Sequence, residues 1–448
     1  MYSLKSDTSV KGIILLTLPI SMAKLIPELN FLFNAAFLGH LGNRELALAG
    51  ITGVYYLIFG AIGYGLNNAL LSIMSRRAGE NKRNEIFATL WHGIILAWML
   101  AVIFAFITWL SVEPIMIWAG IEKESADMAG SFLNIRIIGL IFLYTMQMQN
   151  AFLISVQQSK YLVIIALIQS IVNIILDYVL IFGHFGFPML GFNGAAVASV
   201  IAELIGMVTV FLVIWKLDIV KKMQIIPDFS LVFAKIALVF RIGLPLMSQF
   251  AISTGSWWLF FILVSKNYTT DEQAVSQTMR NLFGLGGVFT WAFGSSTNTV
   301  ISNIIGQKRE NEIFPVIKKM ITISVTGMLI MVALLNIFPG IFFGIFGQSG
   351  DFMSIGTGTL RVVSVAMVIM CFASIWLNAV VATGRTQIVL WIEVVSILVY
   401  VIYAWLVIET LKLPIEVAWT SDTIYTICMI VPSWLYLKYG NWRKHLAY

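Results

Sequence analysis

Five carboxylates stand inside long apolar stretches of the 448-residue chain: Glu28, Asp177, Glu203, Glu393 and Asp422. A charge carried into apolar surroundings is costly, so each is a candidate for chemistry. Asp177 follows Asn173 by four residues in NIILD, which on a helix places carboxylate and amide on one face. Together they offer hard oxygen ligands to a small cation such as Na+. The same carboxylate, withdrawn from water, is suited to carrying a proton. A hydrogen bond that merely ties helices together is the plainer reading. Glu203 follows Ser199 at the same spacing. Lys24 and Glu28 form another such pair and can neutralise each other. Pro19 and Pro27, on either side of Lys24, predict a bend in their helix.

What must position these residues is a membrane. Hydrophobic residues make up 59% of the chain and charged residues 11%, with a mean hydropathy of +0.90. Soluble proteins average about 25% charged residues, and their surfaces cannot hide this much apolar area. A spanning helix needs about 20 apolar residues. Twelve runs qualify: 12–34, 46–74, 86–110, 128–154, 161–183, 191–215, 232–265, 273–302, 314–338, 353–381, 387–410 and 415–437. They are continuously apolar, which excludes a β-barrel. The expectation is an all-α polytopic membrane protein whose first run is retained and is not a cleaved signal. Cys371 and Cys428 lie in separate runs and read as small core residues, so a disulfide scaffold is excluded.

Basic residues fix the expected orientation. With the N-terminus inside, inner segments hold twenty Lys and Arg and outer segments four, so both termini are expected in the cytoplasm of a cell membrane. That asymmetry accounts for the net charge of +6 without a nucleic-acid partner.

The chain also repeats itself. Asn-Glu-Ile-Phe occurs at 84–87 and at 311–314, each after a basic loop. Ser75 and Ser302, Gly79 and Gly306, Pro19 and Pro245, and Asn150 and Asn378 fall at nearly the same offset. Two six-helix halves follow, 1–215 and 232–448, joined by a basic cytoplasmic linker at 216–231 that contains Pro227. The linker reads equally as a surface-lying amphipathic segment or a solvated connection. An even number of spans per half makes the repeats parallel, an arrangement suited to alternating access around a central site. A transporter is therefore the leading class.

Several short motifs, taken in order, resemble the multidrug and toxic compound extrusion (MATE) family along nearly the whole chain. They are Pro19 followed fifteen residues later by Asn34 in FNAAFLGHLG, the turns LISVQQSK and ATGRTQ, the Asn173-x-x-x-Asp177 pair, and GFNGAAVAS opening the sixth run. The resemblance implies two six-helix bundles around a V-shaped cavity. It also implies export of organic, often cationic or aromatic, compounds driven by inward protons or sodium ions.

Two departures matter. Where the family often has an acid, this chain has Asn34, which can offer an oxygen but cannot take up a proton near neutral pH. The family's acids on helices 7 and 10 are absent. Asn34, Asn173, Asp177, Ser199 and Glu203 are therefore expected to form a rearranged cation or proton site, with Na+ a candidate at Asp177 and Asn173. Glu28, Glu393, Gln249 and Trp257 are candidates for a substrate cavity. Arg136 and Arg361, near-equivalents in the fourth and tenth runs, are expected to snorkel outward.

No cofactor is expected beyond the coupling ion. His40, His92, His184 and His445 show no metal-ligand spacing, and no phosphate-binding Gly-rich loop occurs, so catalysis and ATP-driven transport are disfavoured. The expected partners are the bilayer and small organic substrates, and a monomer suffices. A flippase for lipid-linked saccharides is the competing function, disfavoured because, apart from bases near span ends counted with the inner segments, the spans hold only Lys24, Arg136, Arg280 and Arg361.

Overall fold

The computed structural model describes residues 4–118, 120–216, 218–222, 224, 226, 228–345 and 352–445. Pro227 of the expected linker lies outside the described residues. Among the described residues, twelve long helices occupy the twelve predicted runs: α1 Val10–Leu41, α2 Asn43–Gly79, α3 Arg83–Trp118, α4 Lys123–Ser155, α5 Tyr161–Phe182, α6 Phe192–Lys216, α7 Phe233–Asn267, α8 Thr270–Gly306, α9 Ile313–Ile337, α10 Phe352–Ala382, α11 Thr386–Trp405 and α12 Thr420–Tyr439. No strand occurs among the described residues. Ten of the twelve are long and apolar enough on their own to cross a membrane, the exceptions being α8 and α12. Hydroxyl and amide side chains dilute both, as in GSSTNT of α8. Many hydroxyls in α8 turn back on their own helix, Thr297 to Phe293 O and Thr299 to Ser295 O, so their polarity is satisfied without water.

The chain forms two compact units. Unit 1 comprises Met1–Lys5 and Leu18–Met247, and unit 2 comprises Ser6–Thr17 and Ser248–Tyr448. The division falls inside α1 and α7, close to Pro19 and Pro245. Within unit 2 the start of the chain is tied down by Thr17 Oγ1 donating to Ser296 Oγ (2.8 Å) and by Ser6 N–H donating to Asn303 Oδ1 (2.9 Å).

Small residues let helices approach closely in each unit. A side chain at Gly194 of α6 would meet the Leu180 carbonyl of α5 at 2.6 Å, and one at Gly294 of α8 would meet Asn378 and Ser374 of α10 at 2.6 and 2.7 Å. Cys371 packs in the unit 2 core among Phe260, Met367 and Trp419, and both cysteines are free thiols. Elsewhere Phe106, Leu110, Ile330 and Trp391 stand exposed on their helices, as lipid-facing residues do.

The internal repeat is carried by the backbone as well as by the tetrapeptides. Asn81 after α2 and Lys308 after α8 both have left-handed φ, 59° and 60°, and lie 227 residues apart. The same offset separates Gln157 after α4 (φ 62°) from Gly384 after α10 (φ 81°). At the first pair the closing hydrogen bonds also match: Lys82 N–H to Arg77 O, and Arg309 N–H to Ile304 O. A left-handed residue closing a helix is a common C-terminal cap.

The described part of the linker docks on the start of α3. Trp91 Nε1 donates to Phe229 O (3.0 Å), the Phe229 ring meets those of Phe87 and Trp91, and Val232 N–H donates to His92 Nε2 (3.0 Å). That gives buried His92 a structural use. Beside it, Arg76, Arg77 and Lys82 converge on Glu80 at 3.3, 2.9 and 3.0 Å. Burial opposes ionisation of Glu80, but hydrogen bonds from Lys82 and Arg77 outweigh it and hold its carboxyl below the usual range.

Candidate functional site

Asp177 is fully buried on α5. Asn173, one turn earlier, donates from Nδ2 to Asp177 Oδ2 (3.2 Å) and accepts from Asn30 Nδ2 of α1 (2.7 Å). Asp177 Oδ1 and Asn30 Oδ1 remain buried without a hydrogen bond. Two oxygens in apolar surroundings, one of them on a carboxylate, are what a proton or small cation would occupy.

A second carboxylate of unit 1 lies close by. Arg136 grips Glu203 with two parallel bonds, Nη2 to Oε1 (2.7 Å) and Nη1 to Oε2 (2.8 Å). The Tyr56 hydroxyl donates to the same carboxylate at 3.2 and 3.3 Å, and the Arg136 guanidinium sits 3.7 Å over the Tyr56 ring. Bidentate geometry and the aromatic face offset the cost of burying both charges.

The pair depends on a break in α4. Its α-helical turns stop at Arg136, tighten into a 3-10 turn over Ile137–Gly139, and resume at Leu140. A side chain on Gly139 would collide with Glu203 Oε2 and come within 2.8 Å of Arg136 Nη1. Arg136 is also within electrostatic reach of Asp177. Two acids and one base leave this group one positive charge short of neutrality.

Of the five residues expected to form one site, hydrogen bonds join only Asn173 and Asp177 directly. Glu203 is taken by Arg136 and Tyr56. Arg136, expected to reach outward, turns inward because Gly139 leaves room for the carboxylate and Tyr56 supplies a ring. Asn34 of α1 and Ser199 of α6 are half-buried, and among the described residues neither side chain hydrogen-bonds to the others. Asn30 takes the place expected of Asn34. It lies four residues earlier, hence on the same face of α1, and that spacing was the available signal. Lys24 donates to the Tyr64 hydroxyl of α2 (2.5 Å) and lies 4.0 Å over its ring. Glu28 is exposed, and α1 stays helical through Pro19 and Pro27.

Unit 2 gathers the remaining candidates. Glu393 of α11 accepts from Gln249 Nε2 of α7 (3.2 Å) and from the Tyr425 hydroxyl of α12. Trp257 Nε1 of α7 donates to Asp422 Oδ1 of α12 (3.3 Å). Glu393, Gln249 and Asp422 are all buried. Tyr425 and Asp422 were not anticipated as partners, since nothing local in the sequence pairs α12 with α7 or α11.

No group of three His, Cys, Asp or Glu side chains able to hold a metal occurs among the described residues. The chemistry available is reversible binding of protons or monovalent cations at buried carboxylates.

Comparison with known proteins agrees with this picture. The family model MatE matches residues 19–179 and 245–406, once in each half. A probable multidrug resistance protein NorM of Thermotoga maritima is 23% identical over 440 residues, 97% of this chain and 93% of that protein. The structure of a MOP superfamily transporter from Pyrococcus furiosus superposes with a TM-score of 0.86 at 19% identity, covering 99% of this chain and 98% of the other. AtDTX14, a eukaryotic MATE transporter, superposes with a TM-score of 0.85 at 18% identity over 97% of both chains. At such identities the structural likeness speaks for the fold, whereas the doubled family match covers most of the chain. With its apolar helices and the family model matched over most of its length, the chain belongs to the MatE family and is a multi-pass membrane transporter, not an enzyme.

Proposed function

We propose that this protein is a secondary antiporter of the cytoplasmic membrane, with both termini inside, exporting organic cationic or aromatic molecules in exchange for protons or sodium ions. The halves 1–215 and 232–448, joined through 216–231, alternate access to the substrate. The relatives' names, with the multidrug resistance protein of Thermotoga maritima among them, support export of varied compounds. The observation that carries ion coupling is the Asp177 group. Asp177 Oδ1 and Asn30 Oδ1 are buried without partners, beside an Arg136–Glu203 pair that leaves one negative charge over. One monovalent cation or one proton completes it.

Ion binding drives a cycle only through a difference in affinity between two states. Asn30 lies on α1 and Asp177 on α5, so a shift of α1 would change the ligand set and with it the affinity. Protein in liposomes tests this by efflux of a fluorescent organic cation under an imposed proton gradient, then a sodium gradient, for wild type and Asp177→Asn. Efflux driven by one gradient and lost in the variant identifies the ion. Efflux indifferent to Asp177 removes the site but leaves the transporter. No efflux under either gradient would turn attention to lipid-linked saccharides as cargo.

A further inference from the structure

Unit 2 buries two acids that the Asp177 group does not use, and three helices each bring one polar stripe to them. Gln249, Ser253 and Trp257 recur every four residues along α7, Glu393, Ser396 and Tyr400 share a face of α11, and Asp422 and Tyr425 lie one turn apart on α12. Glu393 is well provided with donors: Gln249 on Oε2, the Tyr425 hydroxyl on Oε1, and Ser253 beside both, 3.4 Å from Tyr425. Asp422 has one donor, the Trp257 indole on Oδ1. Its Oδ2 is buried with no hydrogen bond. The Tyr400 hydroxyl also makes no full hydrogen bond: the residue is 2% exposed, has the buried Ser421 side chain beside it, lies within electrostatic reach of Asp422, and holds its ring 5.8 Å from that of Tyr425.

The other charged groups of the surrounding helices lie elsewhere. Among the described residues no ion pair includes Glu393 or Asp422. Arg280 of α8 stands over the Phe261 ring at 5.7 Å, Arg361 of α10 is exposed, and Glu416 lies against Gly358.

A carboxylate buried in apolar surroundings with a single neutral donor does not remain charged without a cation. The occupant follows from the neighbours. Indole N–H, amide N–H and phenol O–H groups present hydrogens, whereas a metal ion needs oxygen lone pairs. Asp422, Glu393 and Tyr400 are closed off, leaving no room for an organic cation, while a proton needs none. We propose that Asp422 is a second proton-binding site, confined to unit 2. On uptake Oδ2 becomes a hydroxyl that can donate to the Tyr400 oxygen. On release the carboxylate keeps the Trp257 hydrogen bond. The site rests on unit 2 alone and stands or falls independently of Asp177.

Infrared difference spectra of the full-length protein in lipid nanodiscs, recorded through a pH titration, test it without requiring transport. Wild type should show protonated-carboxyl absorption growing as pH falls. Asp422→Asn should lose one component that Asp177→Asn retains. Trp257→Phe, which spares the acid, should keep that component and move its midpoint by about one pH unit, the worth of one hydrogen bond to a carboxylate. A titration unchanged in Asp422→Asn overturns the proposal. So does a component abolished by sodium at constant pH, which would mark a metal-ion site. If Asp422→Asn does not fold, an unmoved midpoint in Trp257→Phe is the overturning result.

Discussion

In unit 1, Glu203 is answered by a base: Arg136 grips it with two bonds and lies over Tyr56. In unit 2, Glu393 is answered by neutral donors, Gln249 and Tyr425, and Asp422 by the Trp257 indole alone. The scaffold is duplicated down to the left-handed turns at its helix ends, yet the buried chemistry is not. Arg136 and its near-equivalent Arg361 show how the two diverged. A 3-10 turn and Gly139 follow Arg136 and let it reach inward, whereas α10 runs unbroken through Arg361, which stays exposed. A repeat thus conserves how helices end and pack, while one local change in winding decides which half acquires a buried base.

The largest expected effect comes from breaking that asymmetry. Arg136→Met leaves Glu203 buried without its cation and should destabilise the protein by about 3–5 kcal/mol. Thermal unfolding in detergent measures this. Arg136→Met with Glu203→Met should recover most of the loss, while Arg361→Met should stay within about 0.5 kcal/mol. Equal losses at the two arginines would dissolve the contrast. Gly139→Ala is the next test: its methyl displaces Glu203 from Arg136, at about 1–3 kcal/mol, whereas the same methyl at Gly255 meets open space. An undisturbed Gly139→Ala variant would show that the 3-10 turn does not set the pair.

The smallest effect sharpens the similarity instead. Gln157 holds the left-handed turn that Gly384 holds in the other half. Gln157→Gly should stabilise by about 1 kcal/mol, and Gly384→Ala should destabilise by a similar amount. Opposite shifts in unfolding temperature check it.

Much of this was legible in the chain. Lipid demands continuous apolar length, so twelve runs in sequence became twelve helices at nearly the expected bounds. Helical spacing put Asn173 and Asp177 on one face, because residues four apart always share one. The same rule also allowed Ser199 with Glu203 and Lys24 with Glu28, but spacing along one helix cannot say what the next helix presents. The sequence by itself therefore determined the spans, the repeat and the residues able to hold charge in lipid. Tertiary structure alone decided that Asn30 rather than Asn34 meets Asn173, that Arg136 turns inward to Glu203, and that Asp422 joins Trp257. Those pairings depend on the winding and close approach of helices up to 165 residues apart, which no local pattern encodes.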